Sequence, residues 1–217
     1  KVLSFGRESS WRRRTAERAR AIEAGCVLDL AAGTGDQLIA LLERAGCVRF
    51  AAGVDASKGM MKIARGKLRG RFEGRIALVI GDACGVPFAN GSFDLVTMSF
   101  GMRNLADRRD ELFSEMLRVL KPGGRALILE LTPPEHPLTR IPALIWLRIG
   151  VPFIGGKLTG DTAPYRYLAG SIERFPKKAE FMEMLRRAGF VDVSETPMTF
   201  GAVRLFDAAK PPEPVHQ

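Results

Sequence analysis

Three aspartates, Asp29, Asp55 and Asp82, each close a short apolar run, in "VLDL", "GVD" and "VIGD". Taken singly, such an acid is a turn former or a helix cap. At the ends of three successive strands, they arrive at one edge of a sheet. There a carboxylate can accept from both hydroxyls of a ribose or from the amino group of an adenine. The first is followed by "AAGTGD", with Gly33 and Gly35 one residue apart. A dinucleotide fingerprint requires a third glycine where Leu38 stands, and a P-loop requires a Lys-Ser or Lys-Thr that is absent. Asp36 also sets a negative charge at a helix N-terminus, where phosphates would otherwise sit. The loop therefore suits a ligand without phosphate and with positive charge, and S-adenosyl-L-methionine has that chemistry. The candidate cofactor set is Asp29, Gly33, Thr34, Gly35, Asp55, Ala56, Asp82, Ala83 and Ser99.

These residues need strands to carry them. Short apolar or β-branched runs bounded by turn residues predict strands at 26–31, 49–55, 76–81, 93–99 and 125–131. Between them, helices are expected at 37–45, 58–68 and 108–120, the last stopped by "KPGG". A helix at 179–188 precedes two strands, "FVDVSETP" and "GAVRLFDAA", whose short connection predicts an antiparallel pair. The alternation implies an α/β, Rossmann-like, doubly wound and mostly parallel sheet with an antiparallel C-terminal strand. Residues 132–176 break the rhythm and are read as an apolar insertion over the crevice. Residues 1–210 make one domain, and 211–217 a flexible tail.

A chain of 217 residues with 46% hydrophobic and 26% charged side chains has the composition of a folded domain and not of a disordered one. Its net charge of +9 favours anionic partners, nucleic acid or a membrane surface. Cys26, Cys47 and Cys84 are odd in number and lack any CxxC, which argues against a disulfide framework or a zinc site and for a reducing cytoplasm. No metal is expected. No run approaches the ~20 apolar residues of a membrane span.

"LDLAAGTGD", "GDACGVPFANGSFDLVTMSFGMRNLAD" and "RVLKPGGRALILELT" together resemble the class I S-adenosylmethionine-dependent methyltransferases, and the combination resembles the UbiE-type quinone C-methyltransferases. "YRYLAGSIERFP", residues 165–176, is similar to a further segment of that family. The resemblance runs from about Ser4 to Lys210. Thr132 stands where the family usually has Ser, and Glu8 where it has a His three residues before the Trp, here Trp11. It implies transfer of methyl to a ring carbon of a prenylated benzoquinol or naphthoquinol, leaving S-adenosyl-L-homocysteine.

Such chemistry needs positioning and something that favours a phenolate. In "TMSFGMRN", Arg103 cannot be a base, but its fixed charge can stabilise an oxyanion, and Asn104 can hold the second quinol oxygen. The resemblance points to the same Arg; a helix cap is the plain alternative. His136, in "TPPEHPL", can take a proton near neutral pH or be an ordinary exposed loop residue. "IPALIWLRIGVPFIGG" is too apolar to lie bare in water and is expected to cover a lipophilic quinol, touch a membrane surface or make a homodimer contact. The basic run from Arg7 to Arg20 suits peripheral docking at an inner membrane face or is a solvated helix. A nucleic-acid substrate is not expected, because no Asn/Asp-Pro-Pro-aromatic motif follows the fourth strand. A methyltransferase for another apolar phenol and a non-catalytic cofactor-binding scaffold remain the rivals.

Overall fold

The computed structural model describes residues 7–213 except His136, Pro152, Ile154, Gly155, Leu158 and Thr159, with backbone only at Pro137, Thr139, Pro142, Leu144 and Leu147. Five parallel strands, β1 (Cys26–Leu30), β2 (Phe50–Asp55), β3 (Ile76–Ile80), β4 (Phe93–Ser99) and β5 (Leu120–Leu131), lie in one sheet with β6 (Val191–Met198) and β7 (Val203–Ala209). The order is β3-β2-β1-β4-β5-β7-β6. β7 runs antiparallel to both neighbours. The final strands therefore pair as expected, and the last one inserts between β5 and β6. The chain winds outward from β1 to β3 and returns to β4 on the other side of β1. A crevice opens where that order reverses, at the carboxyl ends of β1 and β4.

Helices α1 (Glu8–Ala21), α2 (Asp36–Arg44) and α3 (Lys58–Leu68) cover one face. There Trp11, Leu38, Leu41 and Leu68 pack with Val27, Leu127 and Leu129. On the other face, α4 (Arg109–Val119) and α7 (Lys178–Arg187) bring Phe113 and Phe181 against Phe206 of β7, with Phe181 and Phe206 ring centres 4.6 Å apart. Helix α3 starts where the Ser57 hydroxyl accepts from the Met60 N–H, and α2 starts behind Gly35 at φ +79°.

Two local readings change. "KPGG" does not lie between helix and strand: β5 already begins at Leu120, and its pairing with β4 skips from Phe93↔Leu120 to Leu95↔Arg125. The turn residues form a bulge, held by the Lys121 ammonium on Asp94 at 2.6 Å. The basic start is a helix, but one packed on the sheet and not solvated all round. It buries Trp11, Thr15, Ala16 and Ala19, Arg18 pairs with Asp207, and Arg12 lies over the Phe100 ring.

The segment after β5 is helical: α5 (Pro137–Ile145), a wider π turn (Trp146–Gly150) and α6 (Ala163–Glu173). No described helix is long and apolar enough to cross a membrane. Among the described residues, no group of His, Cys, Asp and Glu side chains could hold a metal ion.

Candidate active site

The loop after β1 turns through Ala31 at φ +51° and Gly33 at φ +55°. A Cβ on Gly33 would meet nothing closer than the Ala31 carbonyl at 4.0 Å, so the space beside the loop is open to a ligand. Asp55, at the end of β2, secures the loop: the Gly33 N–H donates to its Oδ2 and the Ser57 N–H to its Oδ1, each at 2.8 Å. Each oxygen keeps lone pairs for a further donor. The turn after β4 closes in from the opposite side, and a Cβ on Gly101 would stand 2.7 Å from that of Ala31.

Between them lies a cavity of about 190 Å³ lined by Ala31, Asp55, Ala56, Asp82, Ala83, Gly101, Asn104 and Leu105. Five of these were expected from the sequence. Asp82 accepts from the Cys84 N–H at 3.0 Å and from Arg108 at 2.8 Å. First the Cys84 amide and then Arg108 hold its carboxyl below the ordinary range.

Asp29 lies deeper. Its Oδ1 accepts from the Thr97 hydroxyl at 2.7 Å, and its Oδ2 is buried without a hydrogen-bond partner. Burial pushes this carboxyl up to about 7, against the pull of Thr97 and Arg12. A buried acceptor with no donor fits a ligand that carries an amino group. Beside it Ser99 donates to Gln37 Oε1 at 3.0 Å, and Gln37 Nε2 is likewise buried without a partner.

Thr34 is placed differently from expectation. Its hydroxyl donates to Asp36 and accepts from Lys67, at 2.9 and 3.0 Å, in a cluster between α2 and α3. Asp36 is also not a bare charge. Partial burial raises its carboxyl, but the Lys67 ammonium at 2.7 Å and Thr34 outweigh that and hold it low. With its charge matched by Lys67, Asp36 repels a phosphate less than a free carboxylate would, while Leu38 still occupies the place of a dinucleotide loop's third glycine.

Arg103 and Asn104 sit on a 3₁₀ turn (Met102–Arg108). The Arg103 guanidinium is buried and faces Glu130, not open solvent: Nε donates to Glu130 Oε1 at 2.6 Å, Nη1 to the Ser171 hydroxyl at 2.9 Å and Nη2 to the Phe100 carbonyl at 3.3 Å. The Arg103 N–H adds a bond to Glu130 Oε2 at 3.2 Å. Its charge is matched by a fully buried carboxylate, so a free oxyanion-binding cation is not what this geometry supplies. It ties the crevice turn to β5 and to α6. Asn104 does face the cavity, and the Tyr167 hydroxyl of α6 donates to its Oδ1 at 3.4 Å. His136 lies outside the described residues.

Sequence reasoning missed Gly101, Leu105 and Ala31, whose places depend on two turns meeting, and Glu130 and Ser171, whose partner is an Arg distant in sequence. The one available signal was Glu130 within the otherwise apolar "ALILEL" run.

The ubiE/COQ5 methyltransferase family model matches residues 1–210. The chain is 41% identical over 212 residues to a ubiquinone/menaquinone biosynthesis C-methyltransferase of Geobacter sulfurreducens, covering 97% of this chain and 82% of that one. It is 39% identical over 208 residues to a demethylmenaquinone methyltransferase of Thermotoga maritima, with 95% and 87% covered. Among solved structures, a SAM-dependent methyltransferase from Aquifex aeolicus shares the fold, with a TM-score of 0.66 at 16% identity over 94% of this chain and 92% of that one.

Proposed function

The chain belongs to the ubiE/COQ5 methyltransferase family, the S-adenosylmethionine-dependent enzymes its sequence motifs resemble, and from that premise we propose that it methylates a ring carbon of a demethylated, prenylated quinol. The observation that carries this reading is one cavity at the strand-order reversal, where the cofactor acids Asp55 and Asp82 share a wall with Asn104, itself touched by the helical segment after β5.

When bound, S-adenosylmethionine supplies an electrophilic methyl on a sulfonium. Asp55 holds the ribose with the lone pairs left after bonding Gly33 and Ser57. Asp82 and Ala83 flank the adenine, and Asp29 Oδ2 takes the amino group. Asn104 keeps its amide N–H groups for an acceptor oxygen, since its Oδ1 is met by Tyr167. Arg103 acts through position: it fixes the turn carrying Asn104 by binding Glu130 and Ser171. His136 is proposed to take the proton of the acceptor hydroxyl, which leaves the ring carbon electron-rich. A prenylated acceptor resides in a bilayer, so the enzyme works peripherally at a membrane surface.

Expression in bacteria lacking their own quinone C-methyltransferase tests the proposal. The quinone pool should regain one methyl in its mass spectrum, and an Asn104→Ala variant should restore much less. A pool that stays demethylated despite folded, cofactor-binding protein contradicts it.

A further inference from the structure

The segment after β5 carries large apolar side chains that stand mostly exposed. Leu138, Ile141, Ile145, Ile149 and Phe153 are between 55% and 80% exposed. Their steps of three, four, four and four residues place them along one side of α5 and the π turn, with Phe153 three residues beyond that turn. Five such residues in a row form a continuous patch, unlike the scattered apolar groups of an ordinary surface.

The charge around this stripe has one sign in excess. Lys157 sits over the exposed Phe153 ring at 4.6 Å. Arg140 and Arg148, on the same segment, reach a cavity of about 620 Å³ at its base, lined by five basic and three acidic side chains. Arg148 is paired with Glu173 at 2.7 Å. The chain as a whole carries +9.

The segment leaves β5 at Thr132, whose N–H and hydroxyl both bond to the β6–β7 turn, at the Ala202 and Gly201 carbonyls, 3.0 and 2.9 Å away. That turn holds Thr199 and Phe200 at φ +49° and +55°, a conformation rare for such residues, and Phe200 is left exposed beside the same edge.

We propose that this stripe is the surface by which the protein docks on an anionic lipid bilayer, its apolar side chains entering the headgroup boundary and Arg140 and Lys157 meeting the lipid phosphates. The inference rests on the reading of a membrane-resident acceptor and names the surface that reaches it. Docking there sets the mouth of the crevice against the bilayer, because α6 of the same segment holds both Asn104 and Arg103.

The test is flotation of the full chain with vesicles of phosphatidylcholine alone and of phosphatidylcholine with phosphatidylglycerol. Binding to the anionic vesicles should exceed binding to the neutral ones by about tenfold or more, and added salt should reduce it. The triple variant Ile141→Ser, Ile145→Ser, Ile149→Ser should lose about tenfold or more of that partition with unchanged affinity for S-adenosylmethionine. Ile149→Asp alone, at an exposed site, gives the same reading should the triple variant fold poorly. The proposal is overturned by absent vesicle binding, by equal partition onto neutral vesicles, by partition indifferent to both variants, or by a dimer that the variants dissociate without any vesicle affinity. Because no turnover is read, failure here leaves methyl transfer standing, and failure of methyl transfer leaves this result standing.

Discussion

Asp29 shows most sharply how a residue can be costly to the fold and useful to the site. Its carboxyl is buried, half-satisfied by Thr97, and pushed up to about 7. The folded state therefore keeps a proton that the unfolded chain releases near pH 4. Stability from this group is full below about pH 4, declines as pH rises towards about 7, and is flat beyond. Asp29→Asn removes that dependence. Its thermal midpoint should gain on the wild type by several degrees between about pH 5 and about pH 8, while its cofactor affinity falls. Calorimetry near pH 6.5 in two buffers should show that cofactor binding to the wild type releases a proton, and that the Asn variant releases none. Asp55→Ala should weaken cofactor binding by about 2 kcal/mol or more, because it removes a charged acceptor and frees the Gly33 amide together. The three acids were legible in the sequence because each falls within two residues of a strand's end, and strand ends are a local pattern. The unpaired Oδ2 of Asp29, the Gln37 partner of Ser99 and the Thr34–Asp36–Lys67 cluster were not, since each depends on which neighbour the folded chain brings near.

At the scale of elements, the crevice is shaped by two turns and fastened to β5 by one buried ion pair and to α6 by the Arg103–Ser171 hydrogen bond. Gly101→Ala would press a methyl against Ala31, both of them on backbone with little freedom, and should lower cofactor affinity by about tenfold with a smaller loss of stability. Burial raises the Glu130 carboxyl even against the opposing Arg103 charge, so either partner left alone is a buried, uncompensated group. Arg103→Ala and Glu130→Ala should each cost about 3 kcal/mol in denaturant unfolding, and their double variant clearly less than the sum. A purely catalytic Arg103, by contrast, would leave stability unchanged and lower turnover alone. Strands β1 to β4 and helices α2 to α4 and α7 fall within a residue or so of where apolar period and turn residues put them. The β5 bulge and the insertion of β7 beside β5 did not show, because strand order and register are fixed by pairing between distant segments. The helical form of 137–150 and 163–173 was also hidden: proline and glycine there mask the 3.6-residue period that the exposed stripe keeps.

For the molecule as a whole, the sheet brings Asp55 and Asp82 to one cavity, and the segment after β5 touches Asn104 and Arg103 there through α6 while leaving a row of apolar side chains exposed. Turnover of a quinol embedded in anionic vesicles should fall as salt rises from about 50 to about 500 mM, while cofactor affinity in solution changes little. The most direct measurement gives purified protein S-adenosylmethionine with a deuterated methyl group, alongside reduced demethylated naphthoquinol and benzoquinol bearing short prenyl tails. The expected product is a quinone heavier by one labelled methyl, placed on a ring carbon by fragment masses and formed at least about thirtyfold more slowly by Asp55→Ala under limiting cofactor. Tight cofactor binding with no label on either ring, or label on oxygen instead of carbon, would contradict the assignment.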